Sequence, residues 1–319
     1  MRISESMRMD SIERSTAGLR ERLDAASKVA SSGIRVGAPS DDPMGAAQMV
    51  RLKASLDQTA SYRATIQSGR GDLELGESTL ASAGDLLQRA NEIALQASNG
   101  ALNASDRITL SEEVKQISDQ LFSWANAKGD NGYLFAGSLT GTPPFVKGAV
   151  VVPTPTLPSL DSVVYVGDTN VPGVEISSSV KMAVGMSGSA VFGNATTVAT
   201  TTPLTYNTPT SGVFVNLNTL YHSLAAGNAP SQATVNALDA SHRQIADARA
   251  DYGLKLARLD ISDAAHEQAS LSLTTQRAAI SDANPVEAYS QLTALTTALQ
   301  QAMSVARTTL QTMQSQNLG

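Results

Sequence analysis

Apolar residues return at alternating steps of three and four along most of this chain, and the runs they make predict long helices. One run passes through Ile12, Leu19, Leu23, Ala26 and Ala30, and a second through Leu52, Leu56, Thr59, Ile66, Leu73, Leu80, Leu87 and Ala94. A third, Leu110, Val114, Ile117, Leu121 and Trp124, keeps a strict four-three-four-three spacing. The longest follows Val235, Leu238, His242, Ile245, Tyr252, Leu256, Leu259, His266, Leu273 and Ile280. The last follows Leu292, Leu295, Leu299, Met303, Ala306, Leu310 and Met313. A period near 3.5 held over such lengths describes a coiled-coil seam rather than the surface helix of a compact enzyme.

Punctuation agrees with these spans. Ser40-Asp41-Asp42-Pro43 places Asp42 at an N-cap and Pro43 at the first helical position, where a missing N–H costs nothing. Asn284-Pro285 repeats the device before the last helix. Asn99-Gly100 and Asn131-Gly132 read as helix stops or turns. A helix from Pro43 to about Ser98 is roughly 80 Å long at 1.5 Å per residue. It cannot bury its seam against itself, and the returning helix from about Ser231 to Ala283 has nearly the matching length.

Between about Phe135 and Val215 the period changes. Val150-Val151-Val152, Val163-Val164-Tyr165-Val166, Val174-Glu175-Ile176 and Val213-Phe214-Val215 are separated by Gly, Pro, Asn and Asp, the pattern of short strands and turns. The Thr-rich stretch from Thr196 to Thr210 reads as loop or irregular edge. The expected architecture is mainly α with a small β insertion: a long antiparallel helical rod with terminal coiled-coil helices and a β-rich tip. Residues 1–42 and 284–319 form the terminal helical domain, 43–134 and 216–283 the rod, and 135–215 the tip. The tip is expected to be dispensable for the fold of the rod.

Composition narrows the function. Aromatic residues are 4% of the 319 and there is a single tryptophan, Trp124, so the apolar content rests on Ala, Leu, Val and Ile, which suits thin helical packing. The net charge of −6 gives no basic footprint for nucleic acid. No run of about 18 apolar residues suggests insertion in a membrane. Cysteine is absent, which removes disulfides and thiol chemistry. The start, Met1-Arg2-Ile3-Ser4-Glu5-Ser6, lacks the apolar core of a cleavable secretory signal. A cytosolic protein reads this way, and so does one exported without a cleaved signal.

Candidate chemistry does not hold together. His266-Glu267-Gln268-Ala269-Ser270 opens like a zinc-peptidase motif, but the second imidazole that would share the metal is replaced by Ser270, and His222 and His242 supply no ligand pair. His242 and His266 fall instead on the helix seam. Arg70-Gly71-Asp72 sits inside a predicted helix, where an extended recognition loop cannot form. Asn103-Ala104-Ser105 and Asn194-Ala195-Thr196 match a short and common glycosylation pattern that carries no weight alone. No phosphate-binding glycine loop and no Ser/His/Asp set is identifiable, so neither an enzyme nor a cofactor is expected.

Two motifs carry a resemblance. Ser31-Ser32-Gly33-Ile34-Arg35 followed by Ser40-Asp41-Asp42-Pro43-Met44-Gly45 resembles the N-terminal pattern of the bacterial flagellin family. The stretch from Leu87 to Gly100, LQRANEIALQASNG, is similar to that family's core-helix motif nearly residue for residue. Ser281-Asp282-Ala283-Asn284 resembles its C-terminal region more loosely. The start Met1-Arg2-Ile3-Ser4, the segments from Gly132 to Ser138 and Thr142 to Phe145, and Tyr165-Val166-Gly167-Asp168 are similar to members that form the junction between hook and filament. Gln311 to Gly319 matches neither junction nor filament members. The resemblance implies a structural axial subunit of the flagellum, extracellular, exported through the flagellar type III route after binding a cytosolic chaperone. It implies a homo-oligomeric ring meeting flagellin and another hook-associated junction protein. On this reading Ile12, Leu19, Leu23, Leu292, Leu295, Leu299, Met303 and Leu310 are shared between packing within a subunit and contact with neighbouring subunits, and Asp42, Pro43, Asn284 and Pro285 are hinge or cap residues. The alternatives are a filament flagellin and, from a different class, a secreted coiled-coil adhesin using the Thr-rich tip.

Overall fold

The computed structural model describes residues 5–148, 160, 162–193, 198–199, 205–206 and 211–317. In chain order the elements are α1 (Glu5–Ser32), α2 (Pro43–Ala97), α3 (Ala104–Ala125), β1 (Lys128–Gly129), β2 (Gly132–Tyr133), β3 (Phe145–Gly148), β4 (Ser162–Tyr165), β5 (Gly173–Ser177), β6 (Val180–Ala183), α4 (Gly188–Phe192), β7 (Val198–Ala199), β8 (Thr205–Tyr206), α5 (Val213–Ala225), α6 (Gln232–Ser281) and α7 (Pro285–Asn317). The fold is mainly helical, with small antiparallel hairpins. The described strands pair as β1–β2, β3–β4, β5–β6 and β7–β8, each an antiparallel two-stranded ribbon. The chain divides into two compact units, Met1–Thr59 with Gln268–Gly319, and Ala60–Glu267.

In the Ala60–Glu267 unit, α2 and α6 run antiparallel, and their seams follow the heptads read from the sequence. Ile66, Leu73, Leu80 and Leu87 are wholly buried at steps of seven, opposed by Leu238, Ile245, Tyr252 and Leu259, again at steps of seven and wholly buried. Ion pairs lace the flanks: Arg63 to Asp263 at 2.8 Å, Arg70 to Asp260 at 2.9 Å and Arg249 to Glu77 at 2.7 Å. Gly76 lies against the ring of Tyr252, and any Cβ there would overlap it. Burial of that ring in apolar surroundings pushes the Tyr252 hydroxyl's pKa well above its ordinary value.

Two shorter helices thicken this unit. α3 begins at Asn103, whose side chain accepts from the N–H of Asp106 at 2.8 Å, and it buries Val114, Ile117 and Leu121. α3 packs on α5. Arg107 closes the corner: its guanidinium donates to the carbonyls of Ala97 (3.1 Å), Asn99 (3.3 Å) and Gly227 (3.4 Å), which joins the C-terminal end of α2 to the turn between α5 and α6.

The segment Val213-Phe214-Val215 is not a strand, as its composition suggested, but the first turn of α5. Val213, Phe214, Leu217, Leu220, Tyr221 and Leu224 are buried at helical spacing, and that one-sided stripe outweighs the β propensity of three residues. Four of the five phenylalanines gather here. Phe192 meets Phe135 and Phe145 edge-on at 5.4 Å each, and Phe145 lies 5.2 Å from Tyr165 and 5.7 Å from Phe214. These four phenylalanines and Tyr165 make one aromatic knot beside the hairpins. The runs Val150-Val151-Val152 and most of Thr196 to Thr210 lie outside the described residues.

The hairpins are bonded to the helices. His266 Nε2 and the Ser262 hydroxyl both reach the carbonyl of Ile176 in β5, at 2.7 and 3.3 Å, and Lys255 Nζ donates to Gly185 O at 2.7 Å. Ile176 and Met182 join the same buried cluster as the helix seams. The tip, expected to be dispensable for the fold of the rod, is thus bonded to α6 and shares its buried cluster.

Candidate assembly surface

The other unit is built on α1 and α7, which pack against each other. Ile12, Leu19 and Leu23 on α1 and Leu292, Leu295, Leu299 and Met303 on α7 are each half-buried, while Leu310 is 42% exposed. Among the described residues of this unit, the buried hydrophobic side chains are Val36 and Ala288, and neither is a large residue of the α1 or α7 stripe. Met7, Val286, Tyr289 and Val305 stand exposed on the same two helices. A seam of the same period that is wholly buried on α2 from Ile66 to Leu87 is thus only half covered here, as it also is at Leu52 and Leu56 on α2 and at Leu273 and Ile280 on α6.

What fixes the pair is the elbow between helices. α1 ends at Gly33 (φ +70°), whose N–H returns to Val29 O at 2.9 Å, and only glycine takes this conformation without strain. The chain then runs antiparallel to the end of α6 for a bridge's length, Ile34 opposite Asp282. Arg35 N–H donates to Ser281 O at 2.6 Å, Ala283 N–H to Gly33 O at 2.8 Å, and the Arg35 guanidinium to Ile280 O at 2.7 Å. The two bonds from Arg35 occupy carbonyls that the end of α6 leaves without helical partners. Arg35 also lies 3.7 Å from Asp42, and Val36 is buried under the corner.

Both long helices are capped at this corner. Asp42 Oδ1 accepts from Gly45 N–H at 2.9 Å as Pro43 opens α2, and Asn284 Oδ1 accepts from Val286 N–H at 3.0 Å as Pro285 opens α7. Asp41 Oδ2 accepts from the N–H groups of Ala38 (2.8 Å) and Gly37 (3.0 Å), and these bonds hold its carboxyl below the usual range. Ser31 to Gly45 and Ile280 to Pro285, far apart in sequence, thus form one structure. The sequence displayed both motifs, but nothing in their spacing showed that they pair.

His266, Arg70 and Asp72, drawn from the candidate motifs, each hold structural contacts. His266 stacks on Tyr62 at 5.3 Å while bonding Ile176 O. Arg70 and Asp72 lie within α2, where Arg70 pairs with Glu74 at 2.7 Å and Asp72 accepts from Asn131 at 2.7 Å. Among the described residues, no group of three or more His, Cys, Asp or Glu could hold a metal ion, and no helix is long and apolar enough to cross a membrane.

Comparison with known proteins places this arrangement. Residues 3–140 match the family described as the bacterial flagellin N-terminal helical region. The chain is 30% identical over 264 residues to flagellar hook-associated protein 3 of Escherichia coli K12, covering 79% of each. It is 28% identical over 245 residues to the protein of the same name from Salmonella typhimurium, covering 73% of each. Its fold resembles the solved structure of a flagellar hook-associated protein from Vibrio parahaemolyticus, with a TM-score of 0.61, 23% identity, and coverage of 75% of this chain and 99% of that one.

Proposed function

The chain belongs to the family of flagellar hook-associated protein 3, and from that premise we propose that it joins hook to filament through the half-covered seam of α1 and α7. It is a structural, non-enzymatic protein of the flagellin type, and its place is the extracellular hook–filament junction of the flagellum. It assembles with hook and filament components. In finer terms, copies form a ring that meets flagellin on one side and another hook-associated junction protein on the other, after export with a cytosolic chaperone. The three-segment division into terminal, rod and tip parts belongs to the same proposal: the ends assemble, the rod supports them, and the β-rich part is carried by the rod.

The observation behind this reading is the contrast in burial between two seams of one period. Leu73, Leu80 and Leu87 are closed by α6, whereas Leu292, Leu295, Leu299 and Met303 keep part of their surface open after α1 has packed on them. Exposed apolar stripes of this length are covered by further helices when subunits stack.

Replacing Leu295 and Leu299 together by Asp tests it. An unpaired carboxylate forced into a helix interface costs several kcal/mol, so hooks should assemble without filaments while circular dichroism of the purified chain keeps its helical signal. Electron microscopy of a strain deleted for the protein, complemented with either form, reads the result. Filaments restored equally by the double variant would show that this stripe is not the interface.

A further inference from the structure

α6 carries apolar residues on two faces. Leu238, Ile245, Tyr252 and Leu259 are buried against the rest of their unit. On the other side Ala250, Leu254, Ala257, Ile261 and Ala264 follow four-three-four-three spacing, and all five are exposed, Leu254 and Ile261 at 71% each. No charge stands at these five positions, and Gly253 beside Leu254 faces open space. A second apolar stripe on a helix whose first stripe is already buried leaves a face for another helix to cover, and this spacing is the one that a further coiled-coil helix reads.

α2 carries the counterpart. Gly71, Leu75, Ser78 and Ser82 run at four-three-four spacing along an uncharged line, with open space in front of Gly71 and Leu75 42% exposed. The α6 stripe is a ridge of two large side chains set among alanines. The α2 stripe is a furrow of small residues around one leucine. Their pitch is the same and their relief opposite, so Leu254 and Ile261 fit where the furrow offers glycine and serine.

We propose that the outward ridge of α6, centred on Leu254 and Ile261, is a lateral contact that seats on the α2 furrow of a second copy of this chain. This rests on the reading of the chain as an axial subunit present in several copies. Ridge and furrow are different patches, so each copy gives one and receives the other. Such a heterologous contact generates a ring or a helical row rather than a two-fold pair. The ridge is roughly 21 Å long at 1.5 Å per residue, and one helix face of that length falls short of the about 800 Å² per partner of a stable interface. Free chains therefore stay monomeric, and the contact engages where other contacts have already lined the copies up.

The chain has no cysteine, so paired cysteines report this contact directly in assembled flagella. The host is a strain deleted for the protein. Wild-type chain that fails to restore filaments there counts against the functional reading, not against the lateral contact. With restoration in hand, Ala257→Cys combined with Gly71→Cys or Ser78→Cys should give, on oxidation, linked species of two or more copies that no single variant gives. Linked pairs from Ala257→Cys alone would mean that α6 meets α6, and no linkage in either combination would mean that the faces do not meet. Either result overturns the proposal. Leu254→Glu with Ile261→Glu should leave the thermal midpoint and the secreted amount unchanged, yet reduce attached filaments on the order of tenfold, since the carboxylates would be buried only in the assembly. Full restoration by that variant overturns the proposal. A lowered midpoint would assign the ridge to packing within the chain, and lost secretion would assign it to an export partner; each likewise overturns it.

Discussion

Asp168 ties the end of the β3–β4 hairpin to the loop before it. Its carboxylate accepts from the Ser138 hydroxyl, from Ser138 N–H at 2.8 Å and from Asn170 N–H at 3.0 Å. These donors favour the charged form, the Ser138 hydroxyl most, and hold the carboxyl below its ordinary range. Asp263 is lowered in the same direction, chiefly by the hydrogen bond from Arg63, and Asp41 by the backbone N–H groups of Ala38 and Gly37. A carboxylate whose folded pKa lies below its unfolded value stabilises the fold fully above the unfolded value, near 3.9, and loses that contribution as pH falls through the folded one. The melting midpoint should therefore hold from neutral pH to about 4 and fall below it. Asp168→Asn should make the fall shallower, as thermal melts between neutral pH and acid would show; an unchanged acid slope in the variant would exclude Asp168 as a contributor. None of this was legible in the sequence. Asp168 stood out only within the Tyr165-Val166-Gly167-Asp168 resemblance, and its partner is a serine thirty residues away, brought near by a loop. The same holds for Arg35, whose bond to Ile280 joins the two ends of the chain, and for Arg107, whose three carbonyl acceptors belong to helix ends that no local pattern relates.

Helices were the legible scale, because a heptad is both a local pattern and a statement about packing. The buried sets Ile66, Leu73, Leu80, Leu87 and Leu238, Ile245, Tyr252, Leu259 are subsets of runs visible in the sequence. α5 was missed for the opposite reason. It spans 13 residues, its first turn is Val-Phe-Val, and its one-sided stripe is clear only once α3 is known to lie against it. Period alone also could not tell the closed seam from the open one, since α2 and α7 share it. Substitution separates them. Leu80 is wholly buried, and Leu80→Ala should lower the stability of the purified chain by about 2–5 kcal/mol, the range for a cavity that neighbours cannot fill. Leu299 is only half-buried in the single chain, so Leu299→Ala should cost about 1 kcal/mol or less there. Denaturant unfolding of the two variants measures the difference. Equal losses would mean that the α1–α7 seam is already closed within one copy.

At the scale of the whole chain, the two units differ in how well they hold themselves together. The Ala60–Glu267 unit has two long opposed rows of buried residues, a third and a fourth packed helix, and an aromatic knot. The unit of the chain ends has a hydrogen-bonded elbow and, beyond it, a helix pair whose large apolar residues are at best half covered. Ordering a residue costs roughly 1–2 kcal/mol in backbone entropy, and an isolated helix recovers that mainly through the face it buries. α1 and α7 bury too little to recover it in dilute solution, so they should open locally while the rest of the chain stays folded. Limited proteolysis of the monomer should trim from both ends toward a core near residues 60–267, and hydrogen exchange should find α1 and α7 weakly protected while the α2 amides from Ile66 to Leu87 stay slow. Incorporation into the junction covers the seam and should reverse the first result, leaving both ends resistant in purified flagella. Ends equally resistant in dilute monomer and in the assembly would mean that assembly adds nothing to their cover, and the proposed role of α1 and α7 would fail with that result.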